Sequence, residues 1–303
     1  MAVYVVGDFL RETRLRKGYT QEEVSYGICT PASLSRIENG AQKPGRLILE
    51  KLFERLGTEN NLFNSFVSRE EMELYSAIQE LIRNITDDAV SKIETQIEVV
   101  EKLAVNTSEL EHQCLYFAKG ELARQKEKDD EKAMEMYMKA IHITLPDFDG
   151  KNPLRNNLLT FDEIMIINSI AILYGNSENV ITAIQLDMWL KEYMENKIVD
   201  GKMKTTKYPM IMYNLSCWLE DKGCYREELR MAEQGIDFCV KYGNLALFPK
   251  LVLNKGGALV KMGDNENARK YLHQAITIFD AMGKLEIVQQ VTAWCKDNCE
   301  FEI

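Results

Sequence analysis

The sequence predicts an all-α chain: four short helices within the first 66 residues, then a stack of helical hairpins running to residue 303. Three observations predict it. Apolar residues recur at helical spacing through most of the chain, only 6 of 303 residues are proline, and a stretch in the C-terminal third matches itself at a shift of 40 residues. With 46% hydrophobic and 28% charged residues the chain can bury sizeable cores and lacks the composition of a disordered segment. Its length suits two domains, 1–66 and 67–303.

Taken in order, residues 6–17 read as an amphipathic helix with Val6, Leu10 and Leu15 inward, closed by Gly18. Thr20 is an N-cap whose hydroxyl can accept an unpaired backbone N–H, and Glu23 three residues on completes a capping box, so a second helix runs to about Tyr26. After the turn Gly27-Ile28-Cys29, Thr30 caps a third helix with Pro31 at its first position, where a missing N–H costs nothing. Asn39-Gly40 suits a left-handed stop, and residues 46–56 supply a fourth helix. Segments 70–85 and 88–105 form a helix pair about the turn Ile85-Thr86-Asp87, with Asp87 or Asp88 as cap.

The charge of −10 divides unevenly. Residues 1–60 carry nine Lys and Arg and eight Asp and Glu, leaving 28 basic and 39 acidic residues behind them. The acidic remainder repels phosphate, so only the head can face nucleic acid. The first apolar run, 3–6, is too short for a signal-peptide core or a membrane span, which places the chain in the cytoplasm with no membrane partner. Seven scattered cysteines without a Cys-x-x-Cys pair read as reduced, mostly buried thiols; Cys295 and Cys299, four apart, could pair but read first as packing. His112, His142 and His273 sit in no nucleophile, metal or phosphate-loop motif and the carboxylates spread along solvated faces, so neither catalytic residues, metal ligands nor a cofactor are expected.

The string TQEEVSYGICTPASLSRIENG (20–40) resembles the phage-repressor type of helix-turn-helix. That resemblance places Gln21 at a helix N-terminus beside a DNA phosphate, and Thr30, Ala32, Ser33, Ser35 and Arg36 where a recognition helix meets the major groove. Arg36 has the longest reach. The face is poor in Gln and Asn, so DNA shape and phosphate contacts from Arg16, Lys17 or Lys43 carry a large share. The resemblance also implies a structural ion pair between Arg14 and Glu38.

In the C-terminal third Ser216 aligns with Gly256, Leu219 with Leu259, Gly223 with Gly263, Ala232 with Leu272 and Gly235 with Ala275. Those offsets resemble the tetratricopeptide repeat, in which small residues let the two helices of a hairpin approach and glycine marks their turn, so the second domain is expected to be a tetratricopeptide-like α-solenoid. An earlier unit at 116–141 keeps Gly120, Ala133, Tyr137 and Ala140 with one extra residue in its turn, and a looser one spans 161–196. KEKDDEK (126–132) reads as a solvated turn, LPDFDGKNP (145–153) as a loop without function, and 284–297 as a capping helix packed through Trp294.

Asn214 and Asn254 occupy equivalent positions on the first helices of two repeats, and Asn168 falls at about repeat spacing before them. A row of amides, each offering donor and acceptor, can grip a peptide backbone; bonding to a neighbouring helix is the plainer reading of any single one. Lys207, Met210, Ile211, Leu247, Lys250 and Leu251 lie a turn or two earlier and could supply charge and apolar pockets.

The two parts together resemble the Rgg and PlcR group of peptide-pheromone-sensing regulators. The resemblance implies a homodimer held by its repeats, two heads on a palindromic double-stranded DNA site, and a short signalling peptide in the groove that shifts the heads between arrangements. A ligand-independent regulator whose repeats bind a protein partner is the other reading the residues leave open.

Overall fold

The computed structural model describes residues 6–58, 69–86, 90–104, 109–154, 157–197, 199 and 201–299, and every regular element among them is helical. The chain forms two compact units, residues 1–173 with 198–201, and residues 174–197 with 202–303.

The first unit opens with α1 (Val6–Arg16), α2 (Gln21–Ser25), α3 (Pro31–Glu38) and α4 (Arg46–Arg55). Local chemistry sets their ends. Thr20 accepts from the Glu23 N–H while the Thr20 N–H donates to Glu23 Oε2 at 2.7 Å, the reciprocal capping box. Thr30 accepts from the Ser33 N–H at 3.1 Å with Pro31 in the first turn, and Gly40 at φ +70° closes α3. Leu10, Val24, Leu34, Ile37, Leu52 and Phe53 form the core of the head. Leu15 is not in it: its side chain is 57% exposed. It stands five residues beyond Leu10, about 140° around the helix, and Arg14 takes the inward place.

The head is followed by α5 (Arg69–Thr86), α6 (Val90–Leu103), α7 (Glu109–Leu122), α8 (Asp130–Thr144) and α9 (Phe161–Gly175). Helix α5 continues through Thr86, so Ile85 and Thr86, expected in a turn, are helical; Asp87 and Asp88 lie outside the described residues. The extra residue of the 116–141 unit is taken up by a π-helical turn, Ala123–Glu127, at the end of α7, and Lys128 in the left-handed region (φ +58°) stops it. Asp129 then caps α8 by accepting from the Lys132 N–H at 2.9 Å.

Beneath this turn Glu121 is buried and accepts from Arg124 Nη2 (2.5 Å), Gln125 Nε2 (2.8 Å), the Tyr137 hydroxyl (2.7 Å) and the Ser169 hydroxyl (2.7 Å). Burial works against its charge, but Arg124 and these donors hold its carboxyl below the usual range. Four donors fill the acceptor capacity of one carboxylate, which makes the network a structural tie between α7, α8 and α9.

The second unit contains α10 (Val180–Asn196), α11 (Gly201–Asp221, from Lys202 onward), α12 (Tyr225–Tyr242), α13 (Phe248–Lys261), α14 (Asn265–Ala281) and α15 (Leu285–Asn298). The 40-residue repeat is visible in its geometry. Gly223 and Gly263 turn the two hairpins at φ +69° and +80°, and a Cβ on Gly256 would meet Leu272 Cγ at 2.7 Å, the close approach for which a small residue is needed. Trp294 packs from α15 against Leu272, Val291 and Cys295.

One position breaks the repeat. Glu228, in the first turn of α12, stands where the next unit has Ala268; it is fully buried, and among the described residues neither carboxyl oxygen has a hydrogen-bond partner. Burial pushes its pKa to about 8, with Glu220 adding and Lys261 opposing. In the unfolded chain the same carboxyl ionises near pH ~4.3. The folded pKa is therefore the raised one, and stability is lost as pH rises between those values. The Tm advantage of Glu228→Gln over the native chain should widen from about pH 5 to about pH 8 and level off above. Parallel Tm–pH curves for the two proteins would exclude this assignment.

Candidate nucleic-acid interface and repeat face

Glu38, at the last position of α3, organises the reading head. It accepts from Arg14 Nε at 2.6 Å and Arg14 Nη2 at 2.9 Å, while Arg14 Nη1 donates to the Tyr19 carbonyl at 2.9 Å. This is the ion pair between the first and third helices expected from the sequence, and it is buried. Gln21 Nε2 joins it by donating to Glu38 Oε2 at 2.7 Å, so α1, α2 and α3 meet on one carboxylate.

The outer face of α3 is open. Thr30, Ala32 and Arg36 are exposed, and Ser33 and Ser35 are half-buried. Arg36 Nη2 donates to Ser33 Oγ and Arg36 Nε to Gln42 Oε1, both at 3.2 Å, so the guanidinium lies along the face with donors to spare. Gln42, just past the helix, is a participant the sequence reading missed. Arg16 and Lys43 are exposed, whereas Lys17 is not disposed for a phosphate: its ammonium donates to the Leu56 and Gly57 carbonyls at the end of α4, and burial lowers its pKa. Its role is to close a helix C-terminus, where a cation is favoured.

The back of the head is fixed to α8 and α9 within the same unit. Arg55 Nη2 and Glu163 Oε1 form an ion pair at 2.6 Å with both side chains 0% exposed. Arg55 also donates to the Tyr26 carbonyl, and the Tyr26 hydroxyl donates to Asp147. Lys51 pairs with Asp162 at 2.8 Å and with Glu54 at 3.2 Å; burial disfavours its charge, but Asp162 and Glu54 hold its pKa well above the usual value. Glu54 in turn accepts from the Phe161 N–H at 3.0 Å, and burial raises its carboxyl to about 7. The loop 145–153 thus has a task after all: Leu145 and Phe148 are buried and Asp147 holds the head.

A signal for this dock was present in Thr160-Phe161-Asp162-Glu163. The Thr160 N–H donates to Glu163 Oε2 at 2.6 Å and the Glu163 N–H to Thr160 Oγ1 at 3.3 Å, a second capping box readable from the T-x-x-E spacing. What spacing does not disclose is that the other Glu163 oxygen receives Arg55.

In the second unit Asn214 and Asn254 both face neighbouring side chains. Asn214 Nδ2 lies 3.4 Å from Oδ2 of Asp187, a fully buried carboxyl whose pKa burial raises well above the usual range. Asn254 Nδ2 donates to Ser216 Oγ at 2.6 Å and to Cys217 Sγ at 3.3 Å. Met210, Leu247 and Lys250 are half-buried beside them. Lys207 (4% exposed), Ile211 and Leu251 are buried, the last two in helix packing, so these three present no surface in this arrangement. Asn168 belongs to the first unit and is buried there. Among the described residues no helix is long and apolar enough to cross a membrane, and no group of three His, Cys, Asp or Glu could hold a metal ion.

Comparison with known proteins gives two family matches: a helix-turn-helix domain over residues 5–66, and the RNPP family C-terminal domain over 151–298. The chain is 38% identical over 63 residues to the HTH-type transcriptional regulator YqaF of Bacillus subtilis, a match covering 20% of this chain and 83% of that protein. Among solved structures it is similar to Bacillus thuringiensis PlcR in complex with the peptide PapR7 and DNA, at a TM-score of 0.60, 18% identity, and 98% and 99% coverage of the two chains. It is also similar to ComR from S. thermophilus in complex with DNA and its signalling peptide ComS, at a TM-score of 0.52, 16% identity, and 97% and 99% coverage. At these identities the likeness is one of fold.

Proposed function

Because the chain belongs to the RNPP family of helix-turn-helix regulators, we propose that it is a sequence-specific DNA-binding transcriptional regulator controlled by a short signalling peptide bound on its repeats. The observation that carries the reading is the pairing, in one chain, of a helix-turn-helix domain with the RNPP C-terminal domain. Residues 1–66 read DNA through Thr30, Ala32, Ser33, Ser35 and Arg36, with Gln21, Arg16 and Lys43 on phosphates. Residues 67–303 carry the peptide, gripped by Asn214 and Asn254, and the surfaces of a homodimer that sets two heads on a palindromic site. The protein acts in the cytoplasm and catalyses no reaction. Peptide and DNA each bind one arrangement of the chain better than another, so their affinities are coupled.

The test uses the full chain, a duplex selected from random sequence, and peptides from small reading frames near its gene. Peptide should raise the Tm by mass action and shift the duplex Kd. Arg36→Ala should lose roughly 1–3 kcal/mol of duplex affinity yet keep the peptide-induced Tm shift. The double variant Asn214→Ala, Asn254→Ala should lose that shift. A chain that holds its duplex while no peptide changes its Tm would instead be a regulator whose repeats bind a protein.

A further inference from the structure

Helices α11 and α13 carry six lysines, at 202, 204, 207, 250, 255 and 261, against two acids, Glu220 and Asp221, which both fall in the last turn of α11. In a chain of net charge −10 these two helices are basic in sequence. Two lysines of this unit have a carboxylate partner within it: Lys255 pairs with Glu233 at 2.8 Å and Lys191 with Glu195 at 2.9 Å. Lys250 is different. Its ammonium lies 5.3 Å from the centre of the Tyr213 ring on α11, and among the described residues no carboxylate stands within ion-pair distance of it.

One helical turn further along α13 is Asn254, on the same face. Its Nδ2 is committed to Ser216 and Cys217, which leaves the amide oxygen as the group it offers, and that oxygen has no partner among the described residues. An unanswered cation held on an aromatic face therefore stands next to an unanswered acceptor, both half-buried. A backbone N–H would satisfy the acceptor, and a carboxylate near it in the chain would satisfy the cation.

We infer that the signalling peptide presents a carboxylate to Lys250 over the Tyr213 ring, beside a backbone N–H bonded to Asn254. This rests on the peptide-binding reading above and adds the chemistry of the ligand. The carboxylate comes from an Asp or Glu side chain or from the peptide C-terminus, and Lys250 is the specificity-determining residue. Tyr213 positions the ammonium, and Asn254, held by Ser216 and Cys217, sets the register.

The probes are four pools of random heptapeptides, with either Asp or Asn fixed at one position scanned along the chain, each made as free acid and as C-terminal amide. Binding to the full chain is read by Tm shift and by titration calorimetry at two salt concentrations. Pools bearing the right carboxylate should bind the native chain about 10- to 100-fold more tightly than the Asn amide pools, less so at high salt. The free-acid and Asp arms tell terminus from side chain.

Lys250→Met keeps the apolar stem and should abolish that preference, and Lys250→Glu should reverse it in favour of the Asn amide pools. An unchanged preference in Lys250→Met, or a native chain that binds Asn amide pools equally well, overturns the inference and leaves peptide sensing standing. A native chain that binds none of the pools overturns both. A melt as cooperative as the native one shows that each variant is folded.

Discussion

Replacing Glu163 with alanine should cost about 3–5 kcal/mol of stability, because it strands the wholly buried Arg55 guanidinium without its carboxylate. Burying two ions is expensive. The pair breaks even only through its 2.6 Å contact and the bonds around it, from Arg55 to the Tyr26 carbonyl and from the Thr160 N–H to Glu163. Removing one member keeps the desolvation cost and discards the compensation. Replacing both by apolar residues of similar size, Arg55→Met with Glu163→Leu, should recover most of the loss, since such a swap is often neutral or better.

Urea unfolding of Glu163→Ala beside a double-mutant cycle of the native chain, Arg55→Met, Glu163→Leu and their double variant measures this, with a coupling energy well above about 1 kcal/mol expected. A Glu163→Ala loss below about 1 kcal/mol would mean that the head does not rest on α9 in solution. The consequence is functional as well as structural. The dock leaves Thr30, Ala32 and Arg36 exposed, so it holds the head from behind and keeps its reading face free.

What the sequence disclosed and what it hid divide along the distance over which the responsible interaction acts. Caps at Thr20, Thr30 and Gly40 join residues within three or four positions, and their chemistry is readable from spacing alone. The solenoid was legible because Gly223 and Gly263, and Ser216 and Gly256, repeat the same packing problem 40 residues apart. The extra residue near 126 was countable, but that it is taken up as a π-helical turn and not as a longer loop is not legible from spacing.

The dock was hidden for the opposite reason. Arg55 and Glu163 stand 108 residues apart, and charged residues in isolation read as solvated. Lys17 failed as a phosphate contact because residue type was all that spoke for it. The end of α4, which claims its ammonium, comes 39 residues later. In the repeats, recurrence is what singles out Asn214 and Asn254. Their partners Asp187, Ser216 and Cys217 could not be, because cross-helix neighbours follow from packing and not from order along the chain.

Gly27→Ala should be the most damaging single-methyl change in the head, and Gly18→Ala supplies its control. Both glycines are left-handed, at φ +68° and +75°, where an L side chain costs roughly 1–2 kcal/mol. At Gly18 nothing lies within 4 Å of the added Cβ, so that local strain is the whole cost. At Gly27 the Cβ would meet the Thr144 carbonyl oxygen at 2.0 Å, its carbon at 2.6 Å and its Cα at 2.8 Å, all backbone at the end of α8.

No rotamer relieves a collision with backbone, so the head must move off α8. The alignment of Tyr26 with Asp147 and of Arg55 with Glu163 then goes with it. Gly27→Ala should therefore lose at least about 2 kcal/mol more than Gly18→Ala in urea unfolding, with a calorimetric transition for the head separating from the rest. Equal losses would mean that the dock yields without cost. Helix α3 and its caps are untouched, so the variant should still bind duplex, but a peptide should no longer alter that binding: a head that has left its support has nothing through which to be moved.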